Sequence, residues 1–185
     1  MGSGKTTVCK IFELLGVPVF YADDEAKKLY NSRSIKLKVV KIFGATILNK
    51  NKEIDKKELS KIVFDNKLLL AKLNAIIHPE VRKKFSKWKT KQKDKKYVIK
   101  EAAIMIESEA YKELNYLVSI NSPKSLRIIR VLGRNNIDIA EIKKRIKEQI
   151  SDKKRAKYSD AIIVNDGKHS LIEQVLKIHH RLTEK

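Results

Sequence analysis

The 185-residue sequence predicts an α/β fold built on a parallel sheet. The first observation is a glycine-rich segment, MGSGKTT, that leads into an amphipathic helix and then a short apolar strand, VPVFY. The second is a later series of β-rich apolar runs separated by helical sequence. Strands that alternate with helices are typical of a parallel sheet covered by helices. The length indicates one domain over residues 1–185.

Residues 2–7 contain the closing half of a phosphate-binding loop, whose full pattern is G-x-x-x-x-G-K-[ST]. Backbone N–H groups of such a loop converge on phosphate oxygens, and a lysine reaches the outer phosphates. Lys5 is the candidate lysine, and the hydroxyl of Thr6 is the candidate Mg²⁺ ligand. The alternative is a chance glycine-rich helix start, but GKTT followed by a helix and a strand is more specific than GKT alone.

The remaining elements follow in chain order. The first helix presents one apolar face, made by Val8, Ile11, Phe12 and Leu15. Gly16 ends this helix, and residues 17–21 form a buried strand. Residues 24–95 are lysine-rich and predict a helical insertion of four helices, with Asp55 and Asn66 as N-caps.

After residue 95 the sheet resumes. Strands are predicted from Tyr97 onward, over residues 116–121 and over residues 160–165. Between the last two strands, residues 124–158 are helical and carry most of the arginines, which predicts a lid. A final amphipathic helix is expected from about residue 169 to residue 183.

The composition restricts the class of protein. No apolar run is long enough for a membrane helix, and no signal peptide is evident, so we expect no membrane partner. The single cysteine, Cys9, cannot form an internal disulfide, which favours a reduced, cytoplasmic setting. The net charge of +20 invites a nucleic-acid interpretation. A solvated lysine surface explains it better, and Phe85 and Trp88 suit one packed helical face rather than a base-stacking platform.

Several polar side chains stand where chemistry is expected. Asp23 follows the strand of residues 17–21 and is either a base for an acceptor hydroxyl or a helix cap. His78 precedes Pro79, and the proline predicts the first turn of a new helix. Arg82 lies one turn onward, where it is expected to meet the same anionic ligand as His78. Four arginines of the lid region are suited to phosphate contacts rather than to the surface: Arg127, Arg130, Arg134 and Arg145.

In this order the motifs resemble the dephospho-coenzyme A kinase family. The resemblance is carried by "GSGKTT", "GVPVFYADDEAKKL", "LNAIIHPEVR", "EAAIMIES", "RIIRVLGR", "RIKEQIS" and "SDAIIVNDG". It implies a three-layer P-loop kinase fold with a parallel five-stranded core, a helical acceptor-binding insertion at 24–95 and a lid at 124–158. The implied activity is ATP-dependent phosphorylation of the 3′-hydroxyl of the dephospho-CoA ribose, the last step of CoA synthesis, with Mg²⁺ as cofactor.

The resemblance also implies roles for individual residues. The ATP phosphates are assigned to the loop, made by Gly2, Ser3, Gly4, Lys5, Thr6 and Thr7. Asp23 corresponds to the catalytic base, and Arg130 and Arg134 correspond to lid arginines, of which Arg134 is assigned to catalysis. Asn165 corresponds to an asparagine beside the nucleotide. The acceptor side is assigned to Asp23, His78, Arg82 and Glu107.

The sequence departs from the family pattern at several points. Tyr21 replaces the first Asp of the Asp-Ala-Asp signature, Ala103 replaces a proline, and Asn135 replaces an aspartate. The opening glycine and the first strand would lie upstream of Met1, so we expect an N-terminally truncated chain whose natural loop continues upstream. Loss of a central strand predicts low stability and weak ATP affinity for residues 1–185.

Alternative functions differ in their expected partners. Another small P-loop kinase would act on a nucleoside monophosphate, and an inactive truncated fragment would have no turnover. A basic nucleic-acid-binding protein would bind nucleic acid with a steep salt dependence. We expect the partners to be dephospho-CoA and ATP, no specific nucleic acid, and a monomer or small homo-oligomer.

Overall fold

The computed structural model describes residues 1–64, 66–133 and 138–184. Two compact units divide the chain, the first formed by Met1–Val19 with Asp94–Lys185 and the second by Phe20–Lys93. The second unit shares most of its residues with the predicted insertion 24–95. Its role in acceptor binding stays a prediction.

The first unit contains the loop, most of the strands and the helices that flank them. Its helices are α1 (Lys5–Leu14), α6 (Lys124–Leu132), α7 (Ile139–Glu148), α8 (Asp152–Ala156) and α9 (Leu171–Thr183). Its strands are β2 (Ile99–Glu101), β3 (Val118–Asn121) and β4 (Ala161–Val164). Strand β1 (Val19–Tyr21) begins in this unit. Each predicted strand is present but shorter than its apolar run. After β2, residues 103–109 form turns instead of continuing the strand.

The described strands form two pairs, β1 with β2 and β3 with β4. β3 and β4 are parallel, with Val118 beside Ala161 and Asn121 beside Val164. The backbone N–H of Ile99 donates to the carbonyl of Pro18 at 2.9 Å, next to the start of β1. An α/β fold with parallel strands is therefore confirmed, whereas the five-stranded core that the resemblance implies stays a prediction.

One apolar cluster joins the first and last helices to the second strand pair. Its buried members include Val8, Phe12, Ile120, Ile163 and Val175. The predicted apolar face of α1 is confirmed, since Val8 and Phe12 are buried and Ile11 and Leu15 pack against the same cluster. Burial of this face fixes α1 beside the strands, and with it the loop at the start of the helix.

The second unit is helical, as predicted. Its helices are α2 (Ala22–Leu29), α3 (Arg33–Phe43), α4 (Lys56–Phe64) and α5 (Lys67–Lys89). Both predicted N-caps are confirmed: Asp55 accepts from the N–H groups of Lys57 and Glu58, and Asn66 accepts from Leu69. Caps of this kind satisfy N–H groups that the first helical turn leaves without partners.

The aromatic residues of α5 pack inside the second unit. The Phe85 and Trp88 rings are stacked with centroids 6.1 Å apart, and both contact the buried Phe20. This arrangement confirms the packed helical face. None of the helices within 1–64, 66–133 and 138–184 is both long and apolar enough to cross a membrane.

The prediction that a new helix starts at Pro79 is wrong. Pro79 lies inside α5, which continues through it, and His78 is helical. A proline in a helix removes one backbone hydrogen bond, a cost that packing on either side can offset. Here Leu73, Ile77 and Val81 are buried on both sides of the proline, whereas Pro79 itself is exposed.

Cys9 lies on α1 and is expected to be unreactive in the native protein. It is 5% exposed, and burial raises the pKa of its thiol to about 12. Because the thiolate is the reactive form, we expect alkylation by iodoacetamide at pH 8 to be at least ~100-fold slower than in urea. Mass spectrometry of timed samples measures both rates. Equal rates with and without urea would contradict the buried position.

Candidate phosphate-binding site

The glycine-rich segment forms a loop that enters α1. Gly2 and Gly4 have φ angles of 72° and 94°, in the left-handed region that favours glycine. A Cβ atom on Gly4 would lie 2.1 Å from Nδ2 of Asn165, so a side chain cannot be placed there. Gly4 is also the N-cap of α1, whose first-turn N–H groups and dipole favour an anion. The left-handed glycines and the helix N-terminus both suit phosphate binding by this segment.

Lys5, the candidate phosphate lysine, is the first residue of α1. Its Nζ lies 3.6 Å from Oε1 of Glu101, at the carboxyl end of β2. The Lys5 side chain is 28% exposed and that of Glu101 is 11% exposed. The pair therefore joins the loop to the end of a strand while leaving the ammonium accessible to an anion.

Thr6 and Thr7 occupy the first turn of α1 and are both exposed. Their hydroxyl groups are therefore open to ligands and solvent. Among residues 1–64, 66–133 and 138–184, no group of three or more His, Cys, Asp or Glu side chains could hold a metal ion. A Mg²⁺ ion needs only one or two protein oxygens when phosphate and water supply the others, so the Thr6 hydroxyl fits this ion.

Asn165 follows β4 and touches the loop directly. Its Nδ2 donates to the carbonyl of Ser3 at 2.8 Å, and the residue is 8% exposed. Its Oδ1 accepts from Nη2 of Arg130 at 3.1 Å. Arg130 also donates from Nη1 to the Ser122 hydroxyl at 3.0 Å. The structure thus brings Asn165 and Arg130 together beside the loop.

A second arginine of α6 contacts the beginning of the loop. Arg127 is 5% exposed, and its Nε donates to the carbonyl of Met1 at 2.9 Å. Its other nitrogens face Oε1 of Gln149 at 3.1 Å and Oδ1 of Asp152 at 3.6 Å. A buried guanidinium is tolerated where partners surround it, as they do here.

A cavity of about 80 Å³ adjoins the loop. Its lining includes Ser3, Lys5, Glu107, Gln149 and Arg155. Glu107 is exposed, and its Oε1 accepts from the backbone N–H of Ile150 at 3.2 Å. The structure thus places the predicted acceptor residue Glu107 against the segment that leads from α7 to α8.

The other acceptor-side residues lie in the second unit. Asp23 is half-buried in the first turn of α2, next to the exposed Asp24. His78 and Arg82 lie one turn apart on α5, His78 half-buried and Arg82 exposed. Their predicted roles stay predictions.

Two predicted lid arginines are not described by the structure. Arg134 lies among residues 134–137, which fall outside the described residues. Arg145 is on α7, but its side chain is also outside the described set. The catalytic role assigned to Arg134 therefore stays a prediction.

Sequence reasoning missed Glu101 and Ser122, and it gave Arg127 no contact with the loop. Glu101 ends the short strand IKE, and because ligand sites of α/β proteins lie at the carboxyl ends of strands, an acidic residue there was a usable signal. Ser122 and Arg127 carry no such signal, because their partners are distant in the chain.

Comparisons with known proteins agree with one another. The family model described as dephospho-CoA kinase (CoaE) matches residues 1–170. A dephospho-CoA kinase of Fusobacterium nucleatum is 35% identical over 184 residues, covering 100% of this chain and 93% of the relative. One from Bacteroides fragilis is 31% identical over 179 residues, covering 96% of this chain and 87% of the relative.

Solved structures give the same result for the fold. The dephospho-CoA kinase from Campylobacter jejuni has a TM-score of 0.69 and 29% identity, covering 100% of this chain and 94% of that chain. A crystal structure of a Thermus thermophilus protein has a TM-score of 0.88 and 24% identity, covering 98% of this chain and 92% of that chain. The second likeness bears on the fold alone.

Proposed function

The chain belongs to the dephospho-CoA kinase family, and on that premise we propose that it transfers the γ-phosphoryl group of ATP to the 3′-hydroxyl of dephospho-CoA. The products are coenzyme A and ADP. The observation that carries this proposal is the family match over residues 1–170, which begins in the loop that presents Lys5. The same loop has the left-handed glycines and the helix N-terminus that suit a triphosphate.

The phosphates of ATP are proposed to bind the loop of residues 2–7. Gly2, Ser3 and Gly4 supply the backbone, and the Lys5 ammonium neutralises charge on the transferring group. The Thr6 hydroxyl would hold Mg²⁺, with Thr7 beside it on the exposed turn. When bound, the ion neutralises phosphate charge.

Asp23 is proposed to accept the proton of the 3′-hydroxyl as the ribose oxygen attacks the γ-phosphorus. The new P–O bond forms as the bond between the γ-phosphorus and its bridging oxygen breaks, and ADP leaves with that oxygen. This role is supported by the half-buried position of Asp23 in the first turn of α2. His78, Arg82 and Glu107 are proposed to bind dephospho-CoA. Arg134 is proposed to stabilise the transferring charge.

A coupled assay for ADP release tests the reaction. The rate of ADP release by the 185-residue chain is measured with Mg²⁺ and ATP. The acceptor is dephospho-CoA, AMP or CMP, and a reaction without acceptor gives the background. Turnover with dephospho-CoA, and a product carrying phosphate at the ribose 3′ position, are expected. Turnover with a monophosphate alone would instead support the alternative small kinase, and absence of turnover with every acceptor would support an inactive fragment.

The remaining proposals concern location and assembly. We keep a cytoplasmic location as a proposal, supported by the single cysteine, Cys9. We also propose a monomer or a small homo-oligomer. Neither property enters the proposed reaction.

Replacing Glu101 with glutamine is expected to lower kcat/KM for ATP by roughly tenfold. The change keeps the size of the side chain but removes the negative partner that holds Lys5 at 3.6 Å. Steady-state kinetics at varied ATP measures the effect.

Glu113→Gln is the matched control for this prediction. Glu113 pairs at 3.9 Å with Lys100, the neighbour of Glu101 in β2, and its side chain is 41% exposed. The Lys100 side chain is 4% exposed. We expect kinetics within about twofold of wild type, because Glu113 pairs with Lys100 rather than with Lys5 of the loop. Equal losses in both variants would mean that Glu101 has no particular role at the loop.

A further inference from the structure

Two carbonyl oxygens of the phosphate loop accept hydrogen bonds from side chains outside the loop. The carbonyl of Met1 accepts from Arg127, and the carbonyl of Ser3 accepts from Asn165. Both contacts bridge more than a hundred residues, at separations of 126 and 162. The loop is therefore attached at the two carbonyls that precede Gly2 and Gly4. Helix α6 contributes to both attachments, through Arg127 directly and through the contact of Arg130 with Asn165.

The first attachment is made by a buried arginine with several protein partners. Arg127 is 5% exposed and donates to Gln149 as well as to Met1, while Asp152 lies 3.6 Å away. Helix α6 also approaches the loop with its backbone, because a Cβ atom on Gly2 would lie 2.6 Å from the carbonyl oxygen of Arg127. The Arg127 guanidinium therefore contacts protein groups on its donor nitrogens and is not directed at a ligand.

The second attachment depends on the orientation of one amide. A guanidinium can only donate, so Arg130 requires the Asn165 oxygen to face it at 3.1 Å. The Asn165 amide nitrogen is then left for the Ser3 carbonyl at 2.8 Å. The backbone of Asn165 is held too, since its N–H donates to the Asn121 carbonyl at 2.8 Å at the end of β3.

Anchoring a carbonyl also aims the next N–H group. A trans peptide is planar, so its C=O and the following N–H point in opposite directions. Holding the Met1 carbonyl against Arg127 and the Ser3 carbonyl against Asn165 turns the N–H groups of Gly2 and Gly4 away from these partners, where a phosphate can accept them. We propose that Arg127, and Arg130 acting through Asn165, are positioning residues that aim these two N–H groups.

This inference rests on the proposed function only for the identity of the anion. It also changes the expected role of Arg130 and Asn165, from contact with the nucleotide to control of the loop. A residue that touches the adenine or ribose would matter for ATP alone. A residue that aims the loop would matter equally for any polyphosphate.

Binding measurements separate the two roles. Mg²⁺-ATP and inorganic tripolyphosphate are titrated calorimetrically into wild type, Arg127→Lys, Arg130→Lys and Asn165→Ala. We expect Kd for both ligands to rise in parallel, by roughly three- to tenfold in each variant, with KM for dephospho-CoA unchanged. Lys124→Met, at an exposed position of α6, is the control and should leave both Kd values at wild type.

A measurement without any ligand completes the test. In ¹H–¹⁵N spectra of the ligand-free protein, the Gly2 amide should move in Arg127→Lys, and the Gly4 amide in Asn165→Ala and Arg130→Lys. Gly44 and Gly167, which lie outside the loop, should stay in place and report that the variants are folded.

Three outcomes would overturn the inference. They are a loss of affinity for ATP but not for tripolyphosphate, unchanged Kd values for both ligands, and unmoved Gly2 and Gly4 amides. If wild type binds tripolyphosphate but does not phosphorylate dephospho-CoA, the proposed function fails and the positioning role stands.

Discussion

Replacing Lys5 with methionine is expected to lower kcat by roughly 10³-fold. Lys5 is the first residue of α1, and its ammonium is held at 3.6 Å from Glu101 beside the loop. Methionine keeps the length and apolar stem but removes the charge that we propose stabilises the transferring phosphoryl group. Initial rates of ADP release at saturating ATP and dephospho-CoA measure the loss.

The matched control for this change is Lys10→Met. Lys10 lies on the same helix and is exposed, so the control removes the same charge away from the loop. Its kcat should stay within about twofold of wild type, since exposed charges contribute little. If Lys5→Met kept more than a tenth of the wild-type kcat, the ammonium would not be acting on the transferring group.

Replacing Asp23 with asparagine is expected to lower kcat by roughly 10²- to 10⁴-fold, the usual contribution of a general base. The amide is close in size to the carboxylate but cannot accept a proton from the acceptor hydroxyl. KM values for both substrates should change little, because the loss concerns the chemical step. Steady-state kinetics with dephospho-CoA as the varied substrate separates the two parameters.

Asp24→Asn controls for the helix rather than for the chemistry. Both aspartates lie in the first turn of α2, so each change removes one negative charge near the helix N-terminus. Asp24 is exposed and pairs at 2.8 Å with Lys27 on the same helix. We expect nearly normal kcat for this variant, and an equal loss in both would assign the effect of Asp23→Asn to the helix.

The lysine surplus matches the surface expected for a solvated protein. Several exposed lysines pair with a carboxylate three residues earlier on the same helix, among them Lys27, Lys61 and Lys83. Such pairs contribute little stability and are screened by salt. The absence of a specific nucleic-acid partner stays a prediction, and a shallow salt dependence of DNA binding would agree with it.

Much of the fold could be predicted because its signals are local. The apolar face of α1 and the caps Asp55 and Asn66 each depend on residues within one or two helical turns. The error at Pro79 has the opposite origin. Proline predicts a helix end locally, whereas burial of Ile77 and Val81 on α5 outweighs that preference.

The site divides in the same way. Gly4, Lys5 and Thr6 could be proposed as phosphate-binding residues from the sequence alone, because the motif is local and each residue type has its own expected task. The glycine φ angles agree with that motif. The sequence did not indicate that Glu101 would be the partner of Lys5, or that Arg127 would reach the loop at all.

The sequence by itself therefore determined the α/β fold class, the caps Asp55 and Asn66, the candidate phosphate loop and the family. Only the tertiary structure decided what holds the loop: Arg127 at Met1, Asn165 at Ser3 and Glu101 at Lys5. These partners lie on different elements, and they meet because burial of α1 and the register of β3 and β4 bring the strand ends to the loop. Periodicity and motifs describe neighbours along the chain, and they carry no measure of how distant segments pack.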